Sequence, residues 1–145
     1  MIFPGMSDLD PSNKPVTIDN VDYLLDSMNP FTWLKVFRAI KDYNPDKIII
    51  PWWVAYWMPT FWSIVFLIKR YLKSEIVFIC HNVVEHESNV LKKMATKAVL
   101  SRAHRLITHS KEETQRLYAL LGKHVNAITA FHPTYTDLSD ARYTK

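Results

Sequence analysis

The sequence predicts an α/β protein in which a parallel sheet carries packed helices. Three observations predict it. Four short apolar runs rich in β-branched residues, within "DKIIIPWW", "EIVFIC", "RLITHS" and "VNAITAFHP", recur along the chain. A segment of helical periodicity precedes each of them. Cap-type residues mark the helix ends, and strands that alternate with helices in this way assemble as a parallel sheet.

The elements follow in order. Residues 1–20 are polar and carry Pro4, Pro11 and Pro15, which reads as loop. "TIDNVDYLLD" (17–26) is compatible with a short edge strand. In "NPFTWLKVFRAIKDYNPD", Asn29 is a good N-cap and Pro30 suits the first helical position. Trp33, Val36, Phe37 and Ile40 fall on one face, and Asn44-Pro45 stops the helix. "DKIIIPWW" reads as a strand buried on both faces and ended by Pro51. "PTFWSIVFLIKRYLKS" reads as a helix with Thr60 as cap and with Lys69, Arg70 and Lys73 near the negative end of its dipole.

"EIVFIC" is a second buried strand. In "HESNVLKKMATKAVLSRAH", Leu91, Met94, Ala95, Ala98 and Val99 share an expected core face, with Lys92, Lys93 and Lys97 off it. "RLITHS" is a third strand. "SKEETQRLYALLG" opens with a capping box, Ser110 and Glu113, and closes where a C′ glycine belongs, at Gly122. "VNAITAFHP" is the fourth strand. There is no internal repeat and no low-complexity tract.

One stretch tests this reading. Residues 48–68 run without a charge between Lys47 and Lys69, and about 20 apolar residues suffice to cross a bilayer. A spanning helix would contain Pro51 and Pro59, each removing a backbone hydrogen bond. As strand, loop and helix the same residues put both prolines at element boundaries, and that reading is preferred. "WWVAYWMP" is then a loop. Its aromatic residues form either a contact surface or packing under neighbouring helices.

The totals bound the function. The chain has 145 residues, the size of one domain, with 48% hydrophobic and 22% charged residues, so a packed core is expected rather than disorder. The net charge of +4 permits an anionic partner. The aromatic residues sit in the apolar run rather than among Lys and Arg, which argues against nucleic acid. Cys80 is the only cysteine, so no internal disulfide forms and a reducing, cytoplasmic setting is expected. "MIFPGMSDLDPSNKP" has neither the basic nor the long apolar region of a signal peptide. With only Gly5 and Gly122 in the chain, a P-loop and a G-x-G-x-x-G turn are excluded.

Ligands of open parallel sheets bind at the carboxyl ends of the strands. Trp52 and Trp53 follow the first strand. His81, Asn82, Glu85, His86 and Glu87 follow the second, His109 and Ser110 the third, and His132-Pro133 the fourth. A histidine at three successive strand ends makes a candidate site. "HNVVEH" fits neither H-E-x-x-H nor H-x-x-E-H, so zinc is not expected. A Cys80–His81 nucleophile pair fails, because neighbours on a strand point to opposite faces. Glu85 and Glu87 are either acid–base groups or carboxylates favoured at a helix N-terminus. Ser110 is a helix cap first, although a helix N-terminus bearing a hydroxyl can also hold phosphate.

The series "NPDKIIIPWW … EIVFICHNVVEHE … RAHRLITHSKEETQRL … VNAITAFHPTY" resembles the N-terminal, acceptor-side domain of GT-B glycosyltransferases, closest to the retaining group that uses nucleotide-diphosphate sugars. The resemblance covers roughly residues 30–135. It implies a Rossmann-like parallel sheet flanked by helices, a partial GT-B N-terminal domain, over 29–135. An irregular segment (1–28) precedes it, and a tail or the start of an interdomain linker (136–145) follows.

The resemblance also implies roles. His81 matches the cleft histidine that contacts the sugar donor near the reacting centre and is the catalytic candidate. Asn82 and the Glu85-His86-Glu87 segment match the acceptor-side loop. Ser110 matches a strand-end serine facing the cleft, and His132-Pro133 a hinge-side segment. With Trp52 and Trp53 these make the expected substrate-binding set. The co-substrate would be a nucleotide-diphosphate sugar, without metal or other cofactor. The acceptor would be a glycan or a lipid-linked molecule in polysaccharide or glycolipid synthesis, and the Trp-rich loop with the basic helix end at Lys69, Arg70 and Lys73 would suit peripheral contact with the inner membrane face.

The departures matter too. The family's first strand and Gly-rich loop have no counterpart here, nor does the second domain that holds most of the donor. The chain reads as a domain cut at both ends, inactive alone. The competing readings are a non-catalytic half-domain that needs a partner chain, and a small single-span membrane protein.

Overall fold

The structure, a computed structural model, describes residues 21–83 and 89–130. Helix α1, Pro30–Tyr43, starts where the sequence says. Asn29 accepts a hydrogen bond from the Phe31 N–H, Pro30 occupies the first turn, and Asn44 closes the helix in the left-handed region at φ 49°. Strand β1, Lys47–Trp52, leads through a single 3₁₀ turn, Ala55–Trp57, into α2, Met58–Tyr71. Then come β2, Glu75–Cys80; α3, Val90–Leu100; β3, Arg105–Thr108; α4, Lys111–Leu121; and β4, Ala127–Thr129. Residues 48–68 are thus strand, turn and helix, and no helix among the described residues is long and apolar enough to cross a membrane.

All four strands are parallel and lie in chain order, β1-β2-β3-β4. The result is a Rossmann-like α/β arrangement, a four-stranded parallel sheet flanked by helices. Crossovers between parallel strands are right-handed. When strand order never reverses, that handedness sends every connecting helix to the same face. The helices accordingly neighbour one another in series, α1 on α2, α2 on α3, α3 on α4. Their shared core joins Phe37, Ile64, Val65, Ile68, Val99, Leu100 and Leu117 to the sheet residues Ile50, Trp52, Ile76, Phe78, Cys80 and Leu106.

The other face of the sheet carries Ile49, Pro51, Val77, Ile79, Ile107 and Ile128, aligned by the register Ile49↔Val77, Pro51↔Ile79 and Ile79↔Ile107↔Ile128. Ile49 is 62% exposed and Ile128 43%. A row of charge closes the lower end of this face. Glu75 pairs with Lys47 at 3.3 Å and with Arg105 at 3.4 Å.

Several expectations are corrected. β1 is buried on one face only: Ile49 and Pro51 are exposed, and among the described residues the helices pack on the opposite face. Pro51 does not end the strand, which continues to Trp52. β1 is an edge strand whose Asp46 and Trp52 carbonyls accept from β2. The odd positions, Pro51 among them, therefore turn their backbone to the unpaired side, where a missing N–H costs no ladder bond. Thr60 does not cap α2. The cap position is Trp57, and the buried Thr60 hydroxyl donates to the Ser27 carbonyl at 3.2 Å.

Of the edge strand considered at 17–26, residues 21–26 form no strand, and residues 17–20 lie outside the described residues. The capping box on α4 is half made: the Ser110 hydroxyl accepts from the Glu113 N–H at 3.1 Å, but the Glu113 carboxylate turns elsewhere. On α3 the expected core face is only partly right: Val99 is buried as expected and Ala95 and Ala98 are half-buried, but its two largest side chains are in solvent. Leu91 is 73% and Met94 63% exposed, while Thr96, Val99 and Leu100 are buried.

The two faces predict opposite responses to mutation. Phe78 is fully buried between Trp52 and Phe61, so Phe78→Ala lowers stability by about 3–5 kcal/mol. Ile49→Thr, on the uncovered face, changes it by less than about 1 kcal/mol. Urea unfolding of the two variants measures both.

Cys80 supplies a second test. Burial first, and then the negative charge of Glu113, push its thiol from 9.0 up to about 12. A raised folded-state value stabilises the protonated form. The contribution is complete below about 9 and is lost as pH rises from there towards 12. The urea midpoint of the native chain therefore falls more steeply above pH 9 than that of Cys80→Ala.

Candidate functional site

The register that builds the sheet also sorts the strand-end residues. Trp52, Cys80 and Thr108 stand level with one another, on the face that the helices cover. The next residue of each strand, Trp53, His81 and His109, therefore belongs to the opposite face. These three side chains meet. The Trp53 indole stacks on the His81 imidazole with centroids 4.2 Å apart and planes 21° apart. His81 and His109 follow at 4.8 Å and 44°. Trp53 is 55% exposed and both histidines are half-buried. The row lies across the carboxyl ends of β1, β2 and β3 and continues the uncovered sheet face upward.

Hydrogen bonds fix the frame beneath it. The His81 N–H donates to the Trp52 carbonyl at 2.9 Å, extending the β1–β2 ladder by one residue. Two residues on, the Val83 N–H donates to a Glu113 carboxylate oxygen at 2.6 Å, and the other oxygen of Glu113 pairs with Arg116 at 2.5 Å. This explains why Glu113 does not reach back to its own helix end. It ties the loop after β2 to α4, with His81 and Asn82 held between the strand end and that anchor. His109 Nδ1 lies 3.3 Å from the Ala130 carbonyl oxygen, and because a carbonyl only accepts, Nδ1 carries the proton in that contact.

On the covered side, a chain of hydroxyls joins α4 to the strands. Thr108 to Thr114 measures 2.5 Å, and Thr114 to Thr129 2.6 Å. Thr114 also reaches the Ser110 carbonyl at 3.0 Å. These threonines bond to one another within the fold, so their placement is structural.

Of the expected site residues, Trp53 and His81 are brought together. Asn82 is exposed beside them. Ser110 is half-buried and caps α4. Trp52 is not brought to the row. Its ring is 1% exposed and packs edge-on against Phe78 in the core, because adjacent strand residues face opposite ways. Glu85, His86 and Glu87, together with His132 and Pro133, lie outside the described residues. Sequence reasoning placed His109 at a strand end but did not carry it into the binding set. Counting positions would have done so, since residues 53, 81 and 109 each stand one past the last paired residue of their strand.

The row can offer an aromatic platform and two imidazoles whose ring nitrogens donate or accept hydrogen bonds. Among the described residues no group of three His, Cys, Asp or Glu side chains is placed to hold a metal ion. Cys80, level with Trp52 beneath His81, is fully buried and points into the core, and its raised thiol makes it a poor nucleophile. No protein-family model, no curated protein and no solved structure matches this chain.

Proposed function

We propose that this chain is the acceptor-side half of a retaining GT-B glycosyltransferase that uses a nucleotide-diphosphate sugar. The observation that carries the reading is the Trp53–His81–His109 row, at the carboxyl ends of three successive parallel strands. An indole face matches the C–H face of a pyranose ring. The neighbouring imidazoles match its hydroxyls, and a site that hydrogen-bonds hydroxyls discriminates strongly among sugars.

In this reading Trp53 holds a sugar ring, His81 contacts the donor near the reacting centre, and His109 orients His81. Asn82 and the Glu85-His86 segment line the acceptor side, and Ser110 and His132 flank the cleft. Transfer with retention asks the protein chiefly for positioning and for stabilisation of the leaving diphosphate. The nucleotide and most of the diphosphate would be held by a second domain, and the part of these residues is to bind glycan. The setting is cytoplasmic, with no metal and with a glycan or lipid-linked acceptor. The exposed Ile49 and Ile128, which flank the half-buried Ile79 and Ile107 on the same sheet face, also favour a second reading, a half-domain completed by a partner chain that need not be catalytic.

Titration of the chain with a panel of oligosaccharides and nucleotide-diphosphate hexoses separates the two. Imidazole and indole proton resonances report the contact. Glycan is expected to shift the Trp53 and His81 resonances together, and Trp53→Ala and His81→Ala to weaken that binding by at least about tenfold, with circular dichroism unchanged. If no saccharide moves either resonance, the transferase reading fails and the partner-chain reading replaces it.

A further inference from the structure

We infer that the outer surface of α3, with the 3₁₀ turn and the outer stripe of α2, docks on an anionic lipid bilayer. This does not rest on the transferase reading, because none of the residues involved belongs to the Trp53–His81–His109 row.

The starting point is the unexpected exposure on α3. Val90 and Leu91 are each 73% exposed and Met94 63%, and Tyr56 on the 3₁₀ turn is 62% exposed. Leu91, Met94 and Tyr56 border a groove of about 830 Å³ between the two elements, with Val54, Tyr56 and Met58 on one side and Leu91, Met94 and Ala98 on the other. The apolar surface extends along α2. Met58, Trp62 and Phe66 recur every fourth residue on one stripe. Trp62 and Phe66 stack at 5.5 Å, and both remain partly exposed. The Arg102 guanidinium lies over Trp62 at 5.2 Å, and Lys69 donates to the Arg102 carbonyl at 3.1 Å.

Charge identifies the occupant. Helix α3, VLKKMATKAVL, carries Lys92, Lys93 and Lys97 and no acidic residue. Lys93 and Lys97 are exposed. Lys93 and Lys97, four residues apart, form an exposed basic stripe that borders the exposed Val90 and Met94. Interfaces with other proteins are depleted in lysine. An anionic membrane surface favours it, because flexible lysine stems lie along apolar surface while their ammonium groups reach headgroups. Trp and Tyr at the margin suit the headgroup level. A short basic helix with apolar side chains in solvent is the pattern of an element that lies in the interface plane.

Flotation of the 145-residue chain with vesicles is the test. One set is pure phosphatidylcholine and the other contains roughly one-third phosphatidylglycerol. The chain is expected to float with the anionic set and to stay behind with the neutral one. High salt should reduce the binding. Each lysine of α3 changed to Gln should lower the partition coefficient by about fivefold. Leu91→Ser with Met94→Ser should lower it further at constant salt. These side chains are exposed, so the variants remain folded, which circular dichroism checks.

Trp53→Ala should leave flotation unchanged while removing glycan binding, so the two readings fail separately. Three results overturn the inference: no flotation with either vesicle, flotation that Leu91→Ser/Met94→Ser leaves unaltered, or a dimer in sedimentation equilibrium that the same double variant dissociates. The last would show that a second copy covers the patch.

Discussion

The hand of the crossover connection governs this fold. Each strand passes to the next through a helix, each passage turns the same way, and the strand order never doubles back. The helices therefore gather on one face, and the sheet divides the molecule in two. Every strand residue belongs to one side by its parity alone. Ile50, Trp52, Phe78, Cys80 and Leu106 go to the core. Ile49, Pro51, Ile79, Ile107, Trp53, His81 and His109 go to the other side. The same parity that buries one tryptophan of the Trp52-Trp53 pair delivers the other to a row of imidazoles.

Much of this was legible in the residues. Helix α1 could be read nearly to its last residue, because its cap, its Pro30 and its apolar stripe are local signals that tertiary packing did not override. The parallel sheet followed from the β-branched runs and their spacing. What could not be read is which runs are covered twice. "KIIIPW" and "EIVFIC" look equally apolar, yet β1 is an edge strand with one bare face and β2 sits inside the sheet. Burial on the second face depends on elements elsewhere in space, not on the strand's own composition. Pro51 misled for the same reason: proline excludes a strand interior only where both edges are paired.

The site was partly legible. Strand-end chemistry pointed to Trp53, His81 and Ser110, and the structure joins Trp53 to His81 while giving Ser110 a capping duty. Trp52 was included because two tryptophans in a row look alike until the register is known. On α3 Leu91, Met94 and Val99 look like one core stripe by spacing, but only Val99 of the three is buried, and the helix packs through it with Thr96 and Leu100. A helix places one stripe against its neighbours, and sequence with several apolar stripes does not say which. The unpacked stripe is the basis of the membrane inference, as the uncovered strand face is the basis of the site. In both places apolar residues were expected inside and are found at the surface.

Isoleucine methyl groups report the one-sided cover of the sheet directly. Methyl spectra would be recorded with a soluble gadolinium chelate, which broadens what solvent reaches. Ile49 and Ile128 should broaden strongly, Ile79 and Ile107 to an intermediate degree, and Ile64, Ile68 and Ile76 hardly at all. If Ile49 and Ile128 are as protected as Ile68, the second face is covered. The division of the sheet into a core side and an open, site-bearing side would then be wrong.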